Sequence, residues 1–116
     1  MKVAHYTDIP GKELNNDMVK LVTGRVLIGK GDGANNFCMR RFDVEPGGHA
    51  PRHTHDWDHE IYVVEGKGEV LIGDQWHGIS QGTAIHIPPN VEHQIKNSSD
   101  GHFAFLCLVP PAAPEM

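Results

Sequence analysis

From residue 18 to residue 110 the chain is a succession of short runs rich in β-branched and aromatic residues. They are MVKLV (18–22), RVLIG (25–29), NFCMRRFDV (36–44), EIYVVEG (60–66), GEVLIG (68–73), TAIHI (83–87), VEHQIKN (91–97) and FAFLCLVP (103–110). Between them stand clusters of turn formers: GKGDGANN, EPGG, EGKG, GDQ, IPPN and NSSDG. Glycine supplies positive φ and proline a preset one, so these clusters end strands and redirect the chain. The most helix-like stretch, KELNNDMVKLV (12–22), has no apolar stripe at 3.6 spacing and runs into Thr-Gly. Many short strands with regular punctuation predict an all-β protein, either an antiparallel sandwich or a small barrel. Within it EGKGEV reads as a tight hairpin, NSSDG as a longer one, the GKGDG loop as a hairpin turn, and the tail PPAAPEM as frayed.

A chain of 116 residues suits one domain, taken as residues 1–116. Its apolar content of 39% is enough for a core. A net charge of −5, with no basic cluster beyond Arg40-Arg41, argues against a nucleic-acid partner. There is no apolar run of the roughly 18 residues that a membrane span needs. MKVAHYTDIP lacks the apolar segment of a secretory signal, so a cytoplasmic location is expected. Cys38 and Cys107 lie inside apolar runs and are expected to be buried free thiols.

Nine histidines in so short a chain are the compositional oddity. Residues 53–60 read HTHDWDHE. His53 and His55 are two apart and share a side in extended chain, and His59 opens a strand on the face it shares with Ile61 and Val63. Glu60 falls on the other face, with Tyr62. His93 follows the proline turn IPPN. Imidazoles at spacing two chelate one ion when others close the face, so His53, His55, His59 and His93 are the candidate ligands. His5, His49, His77, His86 and His102 read as surface or packing histidines. Apolar pocket walls are expected from Phe42, Ile61, Phe105 and Cys107. Arg40 and Arg41 read as solvent-exposed strand arginines rather than as a carboxylate anchor. Trp57 reads either as a lid or as packing.

These residues resemble the two halves of the cupin pattern. The first half is Gly47, five residues, His53-Thr54-His55, four residues, Glu60 and then Gly66. The second is Gly82, five residues, Pro88-Pro89-Asn90, two residues, His93, three residues and Asn97, with fifteen residues between Gly66 and Gly82. The family's glutamate ligand is separated from the closing glycine by six residues, and here that slot holds His59. Trp57-Asp58-His59-Glu60-Ile61 and Phe105-Leu106-Cys107-Leu108-Val109-Pro110 are further similar to a subgroup of small four-histidine cupins described as manganese proteins. The resemblance covers roughly residues 25–110. It implies a single-domain jelly-roll barrel (a double-stranded β-helix), one divalent transition metal per chain, and a homodimer in which N-terminal strands extend a partner's sheet.

Manganese is the metal the resemblance implies. Ligand chemistry alone suits Fe, Cu, Ni or Zn better. Four neutral imidazoles leave a divalent ion its full charge, which favours an anionic or oxygen-bearing ligand. On a six-coordinate ion they leave two positions open. The expected function is therefore a metal-dependent oxidoreductase of dioxygenase type, using O2 or a peroxide on a small, partly hydrophobic substrate. Lewis-acid chemistry such as isomerisation or decarboxylation is the second reading, and a metal-dependent small-molecule binding module the third.

Overall fold

The computed structural model describes residues 1–114. Among them are nine strands: β1 (Lys12–Leu14), β2 (Lys20–Ile28), β3 (Cys38–His49), β4 (His59–Glu65), β5 (Lys67–Ile72), β6 (Gln75–Ser80), β7 (Ala84–Ile87), β8 (His93–Lys96) and β9 (Phe103–Val109). Helix is confined to two single 3-10 turns, Tyr6–Asp8 and Lys30–Asp32. The second of these turns closes the β2–β3 hairpin.

All strand pairs are antiparallel, in the order β6-β5-β8-β3-β9-β4-β7, with β2 on β3 and β1 on β2. The twelve-residue β3 is the spine. Its first half pairs with β9 and β2, and its last residue, His49, pairs with β8. The sheet curls into a jelly-roll barrel, so that inward side chains of its two halves meet. Val44 from β3, Val63 from β4, Val70 from β5, Ile87 from β7, Ile95 from β8 and Phe103 and Phe105 from β9 pack into one cluster. Period-2 alternation dictates which residues enter it. On β4, Ile61 and Val63 are buried while Glu60 and Tyr62 are exposed.

Two expected hairpins are not hairpins. β4 pairs with β7 and β9, β5 with β6 and β8, and no pairing joins β4 to β5. EGKG is a corner where the chain leaves one half of the barrel for the other. Gly66 turns it at φ +75°, and a Cβ there would run into the His102 carbonyl. NSSDG likewise carries the chain from β8 past β3 to β9. Asn97 holds that crossing. It is buried, donates Nδ2–H to the carbonyls of Val44 and Gly101 at 2.8 Å each, and accepts at Oδ1 from Ser99.

The hairpin that exists in this region is β5–β6, turned at Gly73-Asp74. β6 escaped prediction because five of its six residues are exposed and leave no alternation to read. The tail also differs from expectation. Ala113 is buried, and the Pro114 carbonyl accepts a hydrogen bond from Arg40 at 2.6 Å, so residues 110–114 pack on the barrel. Glu115 and Met116 lie outside the described residues. No helix among the described residues is long and apolar enough to cross a membrane.

Candidate metal centre

The segment between β3 and β4 is not a strand, yet it is held extended. Ala50 N–H donates to the Ile95 carbonyl at 2.8 Å, and His53 and His93 exchange backbone bonds at 3.0 and 3.1 Å. Asn90, in the left-handed region at φ +63°, donates its N–H to the His55 carbonyl at 2.7 Å. These bonds lay His53 and His55 against the start of β8, which carries His93. β4 then delivers His59 from the adjoining wall. One ring nitrogen from each of the four imidazoles lies within 4.8 Å of all the others. Two imidazole nitrogens on opposite sides of an ion, each at about 2.1 Å, would stand about 4.2 Å apart. The cluster therefore has the dimensions of a coordination sphere.

The far nitrogens are tied down. Nδ1 of His55 lies 2.8 Å from the Trp57 carbonyl, and Nδ1 of His93 2.9 Å from that of Val91. A carbonyl accepts only, so each Nδ1 carries the proton and each Nε2 keeps its lone pair. Nδ1 of His59 faces the Cys107 sulfur at 3.0 Å. The other nitrogens turn inward: Nε2 of His59 lies 2.6 Å from Nε2 of His55, within hydrogen-bond reach, and Nε2 of His93 is buried with no hydrogen-bond partner among the described residues. Leaving a buried acceptor unmade costs about 1–3 kcal/mol. A cation between the rings gives the His93 nitrogen its missing partner, so the residues fit a metal ion.

Electrostatics favours the ligand form. Burial, followed by repulsion from neighbouring imidazoles, holds His59 down to about 3 and His53 to about 4. Burial also lowers His93, against the opposing bond to Val91. These three rings are thus neutral at neutral pH, as metal ligation requires. Burial pushes the Cys107 thiol up to about 12, so it stays protonated and supplies no charge. Among the described residues no carboxylate joins the cluster. Glu60 is exposed on the outer face of β4, and Asp58 pairs with His86 at 3.0 Å.

The four histidines line one end of a cavity of about 440 Å³. Phe42, Ile61, Phe105 and Cys107 are all on its wall. Phe42 and Phe105 stack at 5.3 Å between centroids. Trp57 stacks on His55 at 4.1 Å, nearly parallel, and lines the same space. His5, His49, His77, His86 and His102 stay outside the cluster. Sequence reasoning missed Arg40, Leu14, Gln94 and Pro114, which also face the cavity. Arg40 was findable: it shares parity with Cys38, Phe42 and Val44 on β3, the inward set. Leu14 and Pro114 arrive from the chain ends, and no local pattern places them. A larger groove of about 660 Å³ runs along the outer face past Met39, Tyr62, Leu106 and Leu108, away from the histidines.

A small antiparallel barrel with a histidine cluster at one end of an apolar cavity defines a class that the comparisons make specific. Residues 40–109 match the family model for the cupin domain, and the chain belongs to the cupin family. The polyketide cyclase RemF from Streptomyces resistomycificus superposes with a TM-score of 0.90 at 34% identity, over 99% of this chain and 82% of that one. The 1-methylthio-D-xylulose 5-phosphate methylsulfurylase of Rhodospirillum rubrum is 30% identical over 98 residues, 84% of this chain and 62% of that protein. The polyketide synthase CurC of Streptomyces cyaneus is 26% identical over 107 residues, 91% of this chain and 66% of that protein. The chain spans less than two thirds of the length of these two curated relatives.

Proposed function

We propose that His53, His55, His59 and His93 hold one divalent transition metal, and that the loaded cavity is the active site of an enzyme acting on a small, largely apolar, oxygen-bearing substrate. The observation that carries this is the convergence of four inward-facing imidazole nitrogens within 4.8 Å at one end of an apolar cavity. When bound, such an ion supplies Lewis acidity toward a substrate oxygen. The chain's own residues do the rest. Phe42, Phe105 and Ile61 take up the apolar body and keep water from it, and the carbonyls of Trp57 and Val91 hold two of the rings in the ligating tautomer.

Likeness to a polyketide cyclase at 34% identity favours non-redox chemistry at a carbonyl, with ring closure as the leading case. Oxidation by O2 or a peroxide is the second reading, supported by the number of imidazoles, since four protein ligands leave two positions free on a six-coordinate ion. Manganese follows from the resemblance to four-histidine cupins and is part of the proposal. So is the homodimer, for which the outer groove past Met39, Tyr62, Leu106 and Leu108 offers a surface that sedimentation velocity tests.

The deciding experiment is metal analysis of protein purified without chelators or nickel resin. About one equivalent of metal per chain is expected. Manganese supports the subgroup, zinc supports ring closure or related Lewis-acid chemistry, and iron moves the balance to oxygen chemistry. Chain that neither carries nor takes up any of these ions sinks the proposal.

A further inference from the structure

Among the described residues, three buried side-chain polar atoms have no hydrogen-bond partner: Nε of Arg40, Nε1 of Trp57 and Nε2 of His93. All three residues line the same cavity. His93 is accounted for by the metal. The other two are N–H groups, and both can only donate. Buried donors left unmet in one apolar cavity mark the place of a missing acceptor.

Arg40 and Arg41 are neighbours with opposite fates. Neither is the solvent-exposed arginine expected: Arg41, on the outer side of β3, is buried, bonded to Asp43 at 3.0 and 3.1 Å and covered by the Tyr6 ring at 3.9 Å. Its guanidinium is structurally committed. Arg40 points inward, and no carboxylate among the described residues pairs with it. Among the described residues its one hydrogen bond runs from Nη2 to the neutral Pro114 carbonyl. Its register partner is Cys107, whose own partner across the next pair is Ile61. Cys107 in turn touches His59 at 3.0 Å. A permanent cation thus stands on the wall beside the histidine cluster, in a cavity whose other walls are mostly aliphatic and aromatic.

We infer that Arg40 is a specificity-determining residue that anchors an anionic oxygen of the substrate, a carboxylate or an enolate, with the Trp57 indole N–H as a second donor. This rests on the reading of the cavity as a substrate site and deepens it: the substrate is a flat apolar body that carries negative charge. A guanidinium in low dielectric discriminates strongly between a charged oxygen and its neutral isostere, because only the first satisfies both the charge and the donor.

The test compares two probes of one shape, 2-naphthoate and 2-naphthamide, by isothermal titration calorimetry at pH 8 on the full chain, both as purified and after dialysis against a chelator. Without metal, Arg40 is the cation among the described residues of the cavity wall that the carboxylate can meet. Wild-type chain is expected to prefer naphthoate by roughly tenfold or more, the scale of one charge-assisted hydrogen bond. Arg40→Gln should remove that preference and leave naphthamide affinity within about twofold. Arg40→Lys, which keeps the charge but loses the Nε donor, should retain a reduced preference. Should Arg40→Gln fail to fold, the wild-type preference itself reads the charge: it must shrink as salt rises from about 20 to about 500 mM.

Equal binding of the two probes by wild type, no measurable binding of either, or a preference that survives Arg40→Gln in metal-free chain would overturn the inference. The metal proposal fails separately, on metal content, so charge discrimination in a chain that takes up no metal would leave Arg40 standing and the metal reading fallen.

Discussion

His59 and Glu60 are adjacent, and a strand sends adjacent side chains to opposite faces. In the structure His59 lies 2.6 Å from His55 and 3.0 Å from the Cys107 sulfur, while Glu60 is exposed on the outer face. If the cluster holds metal as proposed, His59→Ala removes one of four ligands, and affinity should fall by two orders of magnitude or more. Glu60→Gln should leave metal stoichiometry at the wild-type level. Titration against a competing chelator measures both, and a chain emptied by Glu60→Gln but not by His59→Ala would refute the ligand set. Cys107 offers a finer test. Its thiol is the only side chain tied to a far nitrogen of the cluster in the described residues, since His55 and His93 use backbone carbonyls. Cys107→Val removes that partner and should weaken binding by roughly tenfold, the low end for partners that orient a ligand histidine. The d–d spectrum of the cobalt-substituted protein should shift with it. An unchanged spectrum would mean that the thiol merely fills space.

At the scale of elements, two glycines of the cupin pattern are required for different reasons. Gly47 and Gly66 both sit at positive φ, +82° and +75°. Nothing lies within 4 Å of a Cβ on Gly47, whereas a Cβ on Gly66 would collide with the His102 carbonyl at the start of β9. Gly47→Ala therefore carries only the left-handed strain of about 1–2 kcal/mol. Gly66→Ala adds an overpacking cost of about 1–3 kcal/mol, because backbone and not a flexible side chain must yield. Urea denaturation should rank them in that order, and equal midpoints would show that the corner relaxes freely. The same corner explains why EGKG misled the sequence reading. Glycine-rich junctions between two strand-like runs look alike whether the runs pair with each other or part, and here β4 and β5 part. Only their partners decide between the two: β7 and β9 for β4, β6 and β8 for β5.

For the whole molecule, the depressed histidines tie stability to pH. In an unfolded chain each imidazole takes a proton near its ordinary value of about 6.5. In the folded chain His53 resists until about 4 and His59 until about 3, and His93 is lowered as well. Between those limits the unfolded state binds more protons, so the stability of metal-free protein must fall as pH drops below about 6.5 and level out only once the folded rings also protonate. Above about 7 both states are neutral at these sites and the dependence vanishes. Denaturant midpoints at pH 7.5, 6 and 5 (about a unit apart, spanning the ordinary histidine value) should decline in that order, and His59→Asn should flatten the slope. A midpoint that is constant across this range would contradict the burial of the cluster. Bound metal should raise stability at neutral pH by about 2.7 kcal/mol at a hundredfold excess over its Kd, and that increment should disappear as protons displace it.

What the sequence determined by itself is what local physics encodes. Alternation assigned Ile61, Val63 and His59 to one face and Glu60 to the other, since side-chain direction on a strand depends on nothing beyond the strand. Turn chemistry marked where strands end. The spacing of His53, His55, His59 and His93 carried the candidate metal set, and the same spacing carried the resemblance to cupins. What only the tertiary structure decided is which strands pair, and everything that depends on pairing. β6 has no apolar face to read, yet β5 holds it through a full hairpin ladder. Residues 110–114 look frayed in isolation, yet Ala113 and the Pro114 carbonyl find partners on the barrel. Arg40 and Arg41 are one dipeptide of like charge, and their separate roles follow from what the fold lays over each face: Tyr6 and Asp43 outside, Cys107 and Phe105 inside. A residue's direction is a local property of the backbone. Asp43 apart, the groups these two arginines meet come from segments dozens of positions away, and only the curled sheet brings them there.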